Sequence, residues 1–295
     1  MSFSKQLDLV ILSNEEFSKN IWDHHPDDQL LLKELHQEGL QAKILNWRDD
    51  LSNSPSHAYL FRSTWGYYTQ LSEFKKLLSQ LSKTSSMVWN SLDLIRWNLS
   101  KKYLFELAKA HVPIIPSKRV KIHPEIFFDQ LWEEFESDSL IVKPLVGAGS
   151  HLIFKIDSDL SASENLRNLS AHLNQEVIVQ KFQSSVLKEG EFSLIFIEGE
   201  FSHCIQKRSE ESDFRCHEKF GASINLSTCP PEALHQARKI LKLLPEESLY
   251  ARLDFLRNEA HHFSLLEIEL IEPDLFLRHA PSAAKSLAQA LAKRL

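Results

Sequence analysis

Glu267 and Glu269 stand either side of Ile268 in the run from Ser264 to Pro273, and Asp254 lies on an earlier segment, Tyr250 to Phe255, able to pair with it. Residues two apart in a strand project to one face, so Glu267 and Glu269 point together while Leu266, Ile268 and Leu270 face the core. The same spacing sets Arg252 beside Asp254, and Arg257 to His262 are polar enough to turn a hairpin. Folded this way, three carboxylates converge next to one arginine. Carboxylates that close repel unless a cation neutralises them, and an all-oxygen donor set suits magnesium or manganese. By itself, E-x-E on an apolar strand is more often a solvated face; Arg252, Asp254 and the cations upstream reverse that preference.

Upstream, Lys143 ends an apolar strand and opens the loop Pro144 to Ser150, which carries Gly147 and Gly149. Glycines let backbone N–H groups approach phosphate oxygens, and lysine adds a mobile charge. The spacing is not GxxxxGK[ST], so a Walker loop is excluded. Lys101 and Lys102 adjoin on a helical segment, where solvated surface is the ordinary reading. The segment Val177 to Gln183 reads as a strand and linker whose backbone could meet an adenine edge, and Glu191 beyond it could hold ribose hydroxyls. There is no GxGxxG, HExxH, GxSxG or CxxC. The pairs His24-His25 and His261-His262 therefore read as surface, and His203 and Cys204, on alternate faces of a strand, are not a nucleophile and base.

Elements must position these groups. Leu7 to Leu12, Ala42 to Trp47, His57 to Arg62 and Met87 to Trp89 read as strands, alternating with helices over about Asp27 to Gly39 and Leu71 to Leu81. That alternation argues for a parallel α/β sheet. A helix is expected over Trp97 to Ala110, then an α+β segment: a helix near Pro124 to Phe135, strands at Leu140 to Lys143 and Leu152 to Phe154, a helix over Ser163 to Leu173, and a strand at Glu176 to Gln180. The last third alternates like an antiparallel sheet, with strands at Glu191 to Phe196, Glu200 to Gln206, Tyr250 to Phe255 and Phe263 to Ile271, and helices at Glu232 to Leu243 and Ser282 to Leu295.

The 295 residues, 43% hydrophobic and 25% charged, fit a globular chain of one large or several small domains. A net charge of −6 provides no footprint for nucleic acid. Three unclustered cysteines argue against a disulfide framework. No apolar run suits a signal peptide or a membrane span, so a cytoplasmic protein is expected. A second copy of the chain, as a homodimer, is the one macromolecular partner left open.

Taken in order, these features resemble the ATP-grasp superfamily, and within it the branch of cyclo-ligases that form D-cycloserine. The likeness rests on Arg62-Ser-Thr-Trp65, Arg96-Trp-Asn98, Val142-Lys-Pro144, Gly190-Glu-Phe-Ser193, Phe201-Ser-His203, Asp213-Phe-Arg215 and Glu269-Leu-Ile-Glu-Pro273. It implies an ATP-grasp fold, an α+β lid and an antiparallel core behind a parallel α/β domain, divided at 1–96, 97–183 and 184–295. It further implies that Lys101 and Lys143 contact ATP phosphates, that Gly147, Gly149 and Ser150 belong to a mobile phosphate-covering loop, that Gln180, Lys181 and Phe182 form the adenine hinge, and that Glu191 binds ribose. Asp254, Glu267 and Glu269 would hold two magnesium ions (or manganese), Arg252 would stand near the transferred phosphoryl group, and Lys207, Arg208 and Arg215 would line the cleft. The implied activity is ATP-dependent ligation, in which a small amino-acid-like carboxylate becomes an acyl phosphate and is attacked by an amine-type nucleophile. Arg62, Trp65, Arg278 and Ser282 are the candidates for recognising the acceptor. A non-catalytic nucleotide-binding regulator of the same fold is the alternative; loss of chemistry would permit loss of these charged groups. Two departures stand out: many members carry E-x-N where this chain has Glu269, and Gly66 follows Trp65 where aspartate is expected.

Overall fold

The computed structural model describes residues 7–14, 25–51, 56–126, 128–210 and 213–295. His24 and Phe127 lie outside them. The first sheet comprises β1 (Leu7–Ser13), β2 (Ala42–Asn46), β3 (Ser56–Phe61) and β4 (Met87–Trp89), parallel throughout in the order β2-β1-β3-β4. Leu9 to Leu12 of β1 are fully buried, the continuous apolar run of a strand covered on both faces. The amphipathic helix α2 (Leu71–Leu81) covers one face through Phe74, Leu77, Leu78 and Leu81. Helix α1 (Pro26–Gln37) covers the other, through Leu31 and Leu35.

The helix expected over Trp97 to Ala110 is two helices, α3 (Leu92–Asn98), capped by Ser91, and α4 (Tyr103–Lys109). The break is held from outside the helix. The Lys101 N–H donates to the Leu145 carbonyl at 2.8 Å, and the Tyr103 hydroxyl donates to the Ile268 carbonyl at 2.9 Å. A tertiary hydrogen bond thus outweighs continuation of the helical ladder and turns Lys101 inward.

The second sheet holds β5 (Ser117–Lys121), β6 (Ser139–Pro144), β7 (Phe154–Asp157) and β8 (Glu176–Lys181), antiparallel in the order β5-β8-β6-β7. It encloses its own core with α5 (Phe128–Phe135) and α6 (Ala162–Asn168). Strand β7 starts at Phe154, not Leu152, because Leu152 adopts the left-handed region at φ 53°. Strand β5, a charged and largely exposed edge strand, has no hydrophobic alternation to announce it.

The third sheet runs β11-β10-β9-β12-β13, all antiparallel: β9 (Glu191–Ile197), β10 (Glu200–Arg208), β11 (Ser223–Leu226), β12 (Tyr250–Arg257) and β13 (Phe263–Glu269). The short helix α7 (Ser185–Lys188) leads into β9, and α8 (Pro231–Leu241) packs on the sheet face opposite the cleft. Helix α9 (Pro281–Ala292) buries Leu287 and Leu291 in one cluster with Leu31 and Leu35 of α1 and Ile195 and Ile197 of β9. The parallel sheet and the antiparallel core therefore share a hydrophobic cluster, while the sheet containing β6 and β8 keeps a separate one. Among the described residues, no helix is long and apolar enough to cross a membrane.

Candidate active site

The β12–β13 hairpin forms as its spacing predicts, with one difference. Asp254 pairs with Glu267 and Arg252 with Glu269, but the register then shifts, so that Phe255 pairs with Leu265. Leu266 is the extra residue of this bulge. It lines the cleft instead of facing the core, where Leu265, Ile268 and Leu270 are buried. Glu267 and Glu269 share the cleft face, as expected.

That cleft, about 990 Å³ including its mouth, lies between the sheet of β6 and β8 and the antiparallel core. Lys143 reaches it from β6, Gln180 and Lys181 from β8, and Glu191 from β9. Lys101 and the loop residues Gly147, Gly149 and Ser150 close one side. Phe182, Arg215 and Lys207 also line it. Ile115, Leu256, Cys216 and Phe214 make an apolar slot that sequence reasoning missed, because these residues come from three segments far apart in the chain.

Most charged groups in the cleft are paired. Arg252 forks onto Asp254, Nε to Oδ1 at 3.0 Å and Nη2 to Oδ2 at 2.9 Å, while Nη2 also donates to Glu269. Ser193 donates to Asp254 Oδ1 at 2.5 Å. Lys101 Nζ bridges the Gly147 carbonyl at 2.6 Å and Glu267 Oε1 at 2.5 Å. Lys207 pairs with Glu191 and stands 3.7 Å from Asp254. No carboxylate lies within ion-pair distance of Lys143 among the described residues.

Burial sets the protonation energetics, modified by these partners. Burial favours the neutral form of Asp254, but Arg252 and Lys207 outweigh it and hold the carboxyl well below its usual range. For Glu269, burial wins over Arg252, with Asp254 and Glu267 adding repulsion, and its pKa rises to about 7. Burial raises Glu191 to about 7 as well, against the pull of Lys207. Lys143 is lowered to about 8 by burial, against the pull of Glu267 and with the push of Lys101. Carboxylates that burial makes reluctant to ionise are suited to a divalent cation, and all donors here are oxygens. Among the described residues, no three acidic, histidine or cysteine side chains already stand in a metal-holding arrangement. Glu267 and Glu269 are turned onto Lys101 and Arg252, so holding a cation requires those two side chains to exchange partners.

Gly190 fixes the start of β9. Its φ is +79°, and a Cβ there would stand 2.1 Å from the Lys207 carbonyl oxygen. Gly190→Ala is therefore expected to destabilise the chain by more than about 2 kcal/mol, through left-handed strain plus a backbone clash. It should also displace Glu191 from Lys207. Denaturant unfolding together with nucleotide titration checks both.

The model of the prokaryotic glutathione synthetase ATP-grasp domain matches residues 111–273, and that of the N-terminal domain of D-cycloserine synthetase DcsG matches residues 9–90. The cycloserine biosynthesis protein DcsG of Streptomyces lavendulae is 30% identical over 282 residues, covering 90% of this chain and 92% of its own. The chain belongs to the ATP-grasp ligases. The crystal structure of D-cycloserine synthetase DcsG superposes with a TM-score of 0.81 at 27% identity, covering 97% of this chain and 99% of that one. D-alanine–D-alanine ligase from Bacillus anthracis, at 13% identity and a TM-score of 0.66 over 97% and 96% of the two chains, shares the ATP-grasp fold. The ATP-grasp ligase PsnB, solved with a minimal precursor, Mg and ADP, does so at 16% identity and 0.67 over 99% of each chain.

Within this ATP-grasp cleft the two adjacent lysines separate. Lys101 is buried, whereas Lys102 is exposed and lies 3.7 Å from Glu176. Arg208 is exposed and does not line the cleft. Arg215 does line it, held by both oxygens of Asp213 and stacked 3.5 Å from the Phe220 ring centroid. The acceptor candidates sit elsewhere. Arg62 is buried, donates to the Pro273 carbonyl at 3.1 Å and stands over the Tyr250 ring; Trp65 donates to the Glu272 carbonyl at 2.9 Å. Arg278 is engaged by Asp27, Asp274 and Glu218, and Ser282 is exposed at the start of α9. His203 donates through Nε2 to the Leu275 carbonyl at 3.0 Å, while Cys204 lies in the core on the other face.

Proposed function

We propose that this chain uses ATP to activate a small, amino-acid-like carboxylate as an acyl phosphate, which an amine-type nucleophile then attacks. The observation that carries the reading is the convergence of Lys101, Lys143, Glu191, Asp254, Glu267 and Glu269 on one cleft that also offers an apolar slot for a base. Adenine would lie against Ile115, Leu256 and Phe214, beside the Gln180 to Phe182 linker, with the ribose at Glu191. Lys101 and Lys143 would then meet the phosphates.

In the first step a substrate carboxylate oxygen bonds to the γ-phosphorus while the bond to the bridging oxygen breaks, releasing ADP. In the second, the nitrogen bonds to the acyl carbon, the carbon–oxygen bond to phosphate breaks, and the nitrogen loses its proton. Phosphoryl transfer asks a protein mainly for position and charge neutralisation. Lys143, buried and with no carboxylate within ion-pair distance among the described residues, would supply a positive charge to the phosphates. Arg252, locked by Asp254, supplies a fixed one. Asp254, Glu267 and Glu269 would hold magnesium, which when bound draws electron density from the phosphate oxygens. The 30% identity to a cycloserine biosynthesis protein supports an intramolecular version, in which acid and nucleophile belong to one molecule and a ring closes.

Lys143 gives the site a pH signature. Its pKa in the free protein is about 8, so its positive charge is present below that value and lost as pH rises through it. Nucleotide affinity should therefore fall above about pH 8, and Lys143→Met should flatten that limb; ADP titrations from pH 6 to 10 read both.

The reading itself is tested by ADP release across a panel of amino acids and their analogues with magnesium. Acid-dependent release with at least one compound is expected. Nucleotide binding without acid-dependent turnover on any of them, unchanged by Lys143→Met, would overturn it.

A further inference from the structure

The cleft neutralises itself. Four cations, Lys101, Lys143, Lys207 and Arg252, face four carboxylates, Glu191, Asp254, Glu267 and Glu269, and the other two cations on its wall are taken by Asp213 and Glu259 outside it. Two of these contacts join the groups assigned above to different ligands. Lys101, a phosphate-binding residue in that assignment, is spent on Glu267, a cation ligand, and on the Gly147 carbonyl of the loop. Arg252 is spent on Asp254 and Glu269 together.

We propose that these pairs are a charge latch, in which Lys101 keeps Glu267 occupied until a polyphosphate takes the lysine, so that nucleotide and divalent cation bind with strong positive coupling. The inference rests on the functional reading above and adds to it the order in which the site opens. A divalent cation arriving alone must displace Lys101 from Glu267 and leave a buried ammonium without its anion, which is costly. A polyphosphate arriving alone must strand Glu267. Arriving together, they exchange partners: lysine to phosphate, glutamate to metal, with every charge still matched. In each pair the glutamate is the more exposed member. Glu267 and Glu269 are 21% and 20% exposed, against 8% for Lys101, 4% for Asp254 and 9% for Arg252. Arg252 therefore stays on Asp254, and the glutamates turn. Lys101 also holds Gly147, so its departure releases the glycine loop in the same event.

Coupling of this kind is reciprocal, and both directions can be measured on the full chain. Free Mn2+ is followed by electron paramagnetic resonance with and without ADP, and ADP binding by calorimetry with and without Mn2+. In the wild type, saturating ADP should tighten Mn2+ binding by at least about tenfold, within the usual range of site-to-site coupling. Lys101→Met should bind Mn2+ alone more tightly than the wild type, bind ADP more weakly, and lose most of the coupling. Glu267→Gln, which keeps the shape of the side chain, should in turn bind metal-free ADP more tightly. Lys143→Met should weaken ADP and tighten Mn2+ alone by less than Lys101→Met does, because Lys143 acts on Glu267 through space and holds no carboxylate among the described residues. If Lys101→Met and Glu267→Gln each fail to tighten the single-ligand binding while ADP still tightens Mn2+ in the wild type, the latch is wrong and the ligand assignments stand. If Glu267→Gln leaves Mn2+ binding in the presence of ADP untouched, Glu267 is not a cation ligand and the reading beneath the latch falls as well.

Discussion

Glu267→Gln is expected to lower the acid-dependent rate of ADP release by at least a hundredfold, on the order of what loss of one aligned charge contact costs. The substitution keeps size and shape, and Lys101 retains the Gly147 carbonyl at 2.6 Å, so the fold should be unchanged by circular dichroism. What disappears is one negative oxygen at the point where Asp254, directly across the hairpin, supplies another. The adjacent position should behave differently. Family members often carry asparagine where this chain has Glu269, and burial already raises that carboxyl to about 7. Glu269→Asn is therefore expected to stay within roughly tenfold of the wild type, since an amide oxygen remains a competent ligand. Steady-state rates of the two variants side by side test the distinction, and equal losses would contradict it.

The second large effect is on stability. Asp27, fully buried in the first turn of α1, accepts from the Leu277 N–H at 2.7 Å and the Arg278 N–H at 3.0 Å. It ties the N-terminal α/β region to the segment that precedes α9. Asp27→Ala leaves two backbone donors and part of the Arg278 charge without an acceptor. A loss of about 3 kcal/mol is expected, since each stranded buried donor costs about 1–3 kcal/mol. For a chain of this size that lowers the melting temperature by on the order of 10 °C. Thermal and denaturant unfolding measure it, and a change under about 1 kcal/mol would mean that the hydrophobic cluster joining α1 to α9 suffices alone.

Much of this site is legible in the spacing of residues. Alternation places Arg252 with Asp254 and Glu267 with Glu269 on one face, and the hairpin brings the four together. Four buried residues in a row suffice for β1, and α2 is amphipathic over its whole length. What could not be read is set by long-range contacts. Nothing local distinguishes Lys101 from Lys102; the Leu145 carbonyl, 44 positions further on, and the Tyr103 hydroxyl on Ile268 hold the break that turns the first of them inward. The bulge that sends Leu266 to the cleft is a property of the pairing between two strands, not of either strand. Arg62 and Trp65 sit after a strand, where a binding role is a natural expectation; their hydrogen bonds to the Pro273 and Glu272 carbonyls, more than 200 positions further on, were not readable there. The apolar slot draws on Ile115, on Phe214 with Cys216, and on Leu256, three segments that nothing in the sequence brings together.

The central claim is that a carboxylate oxygen of the substrate bonds to the γ-phosphorus. The most direct measurement uses an acid that supports ADP release, labelled with 18O in its carboxylate, and follows the label by mass spectrometry of the inorganic phosphate. Acyl phosphate chemistry predicts one 18O in each phosphate released on ligation, with the other label retained in the product. Phosphate free of label, formed together with ADP and ligated product, would contradict it.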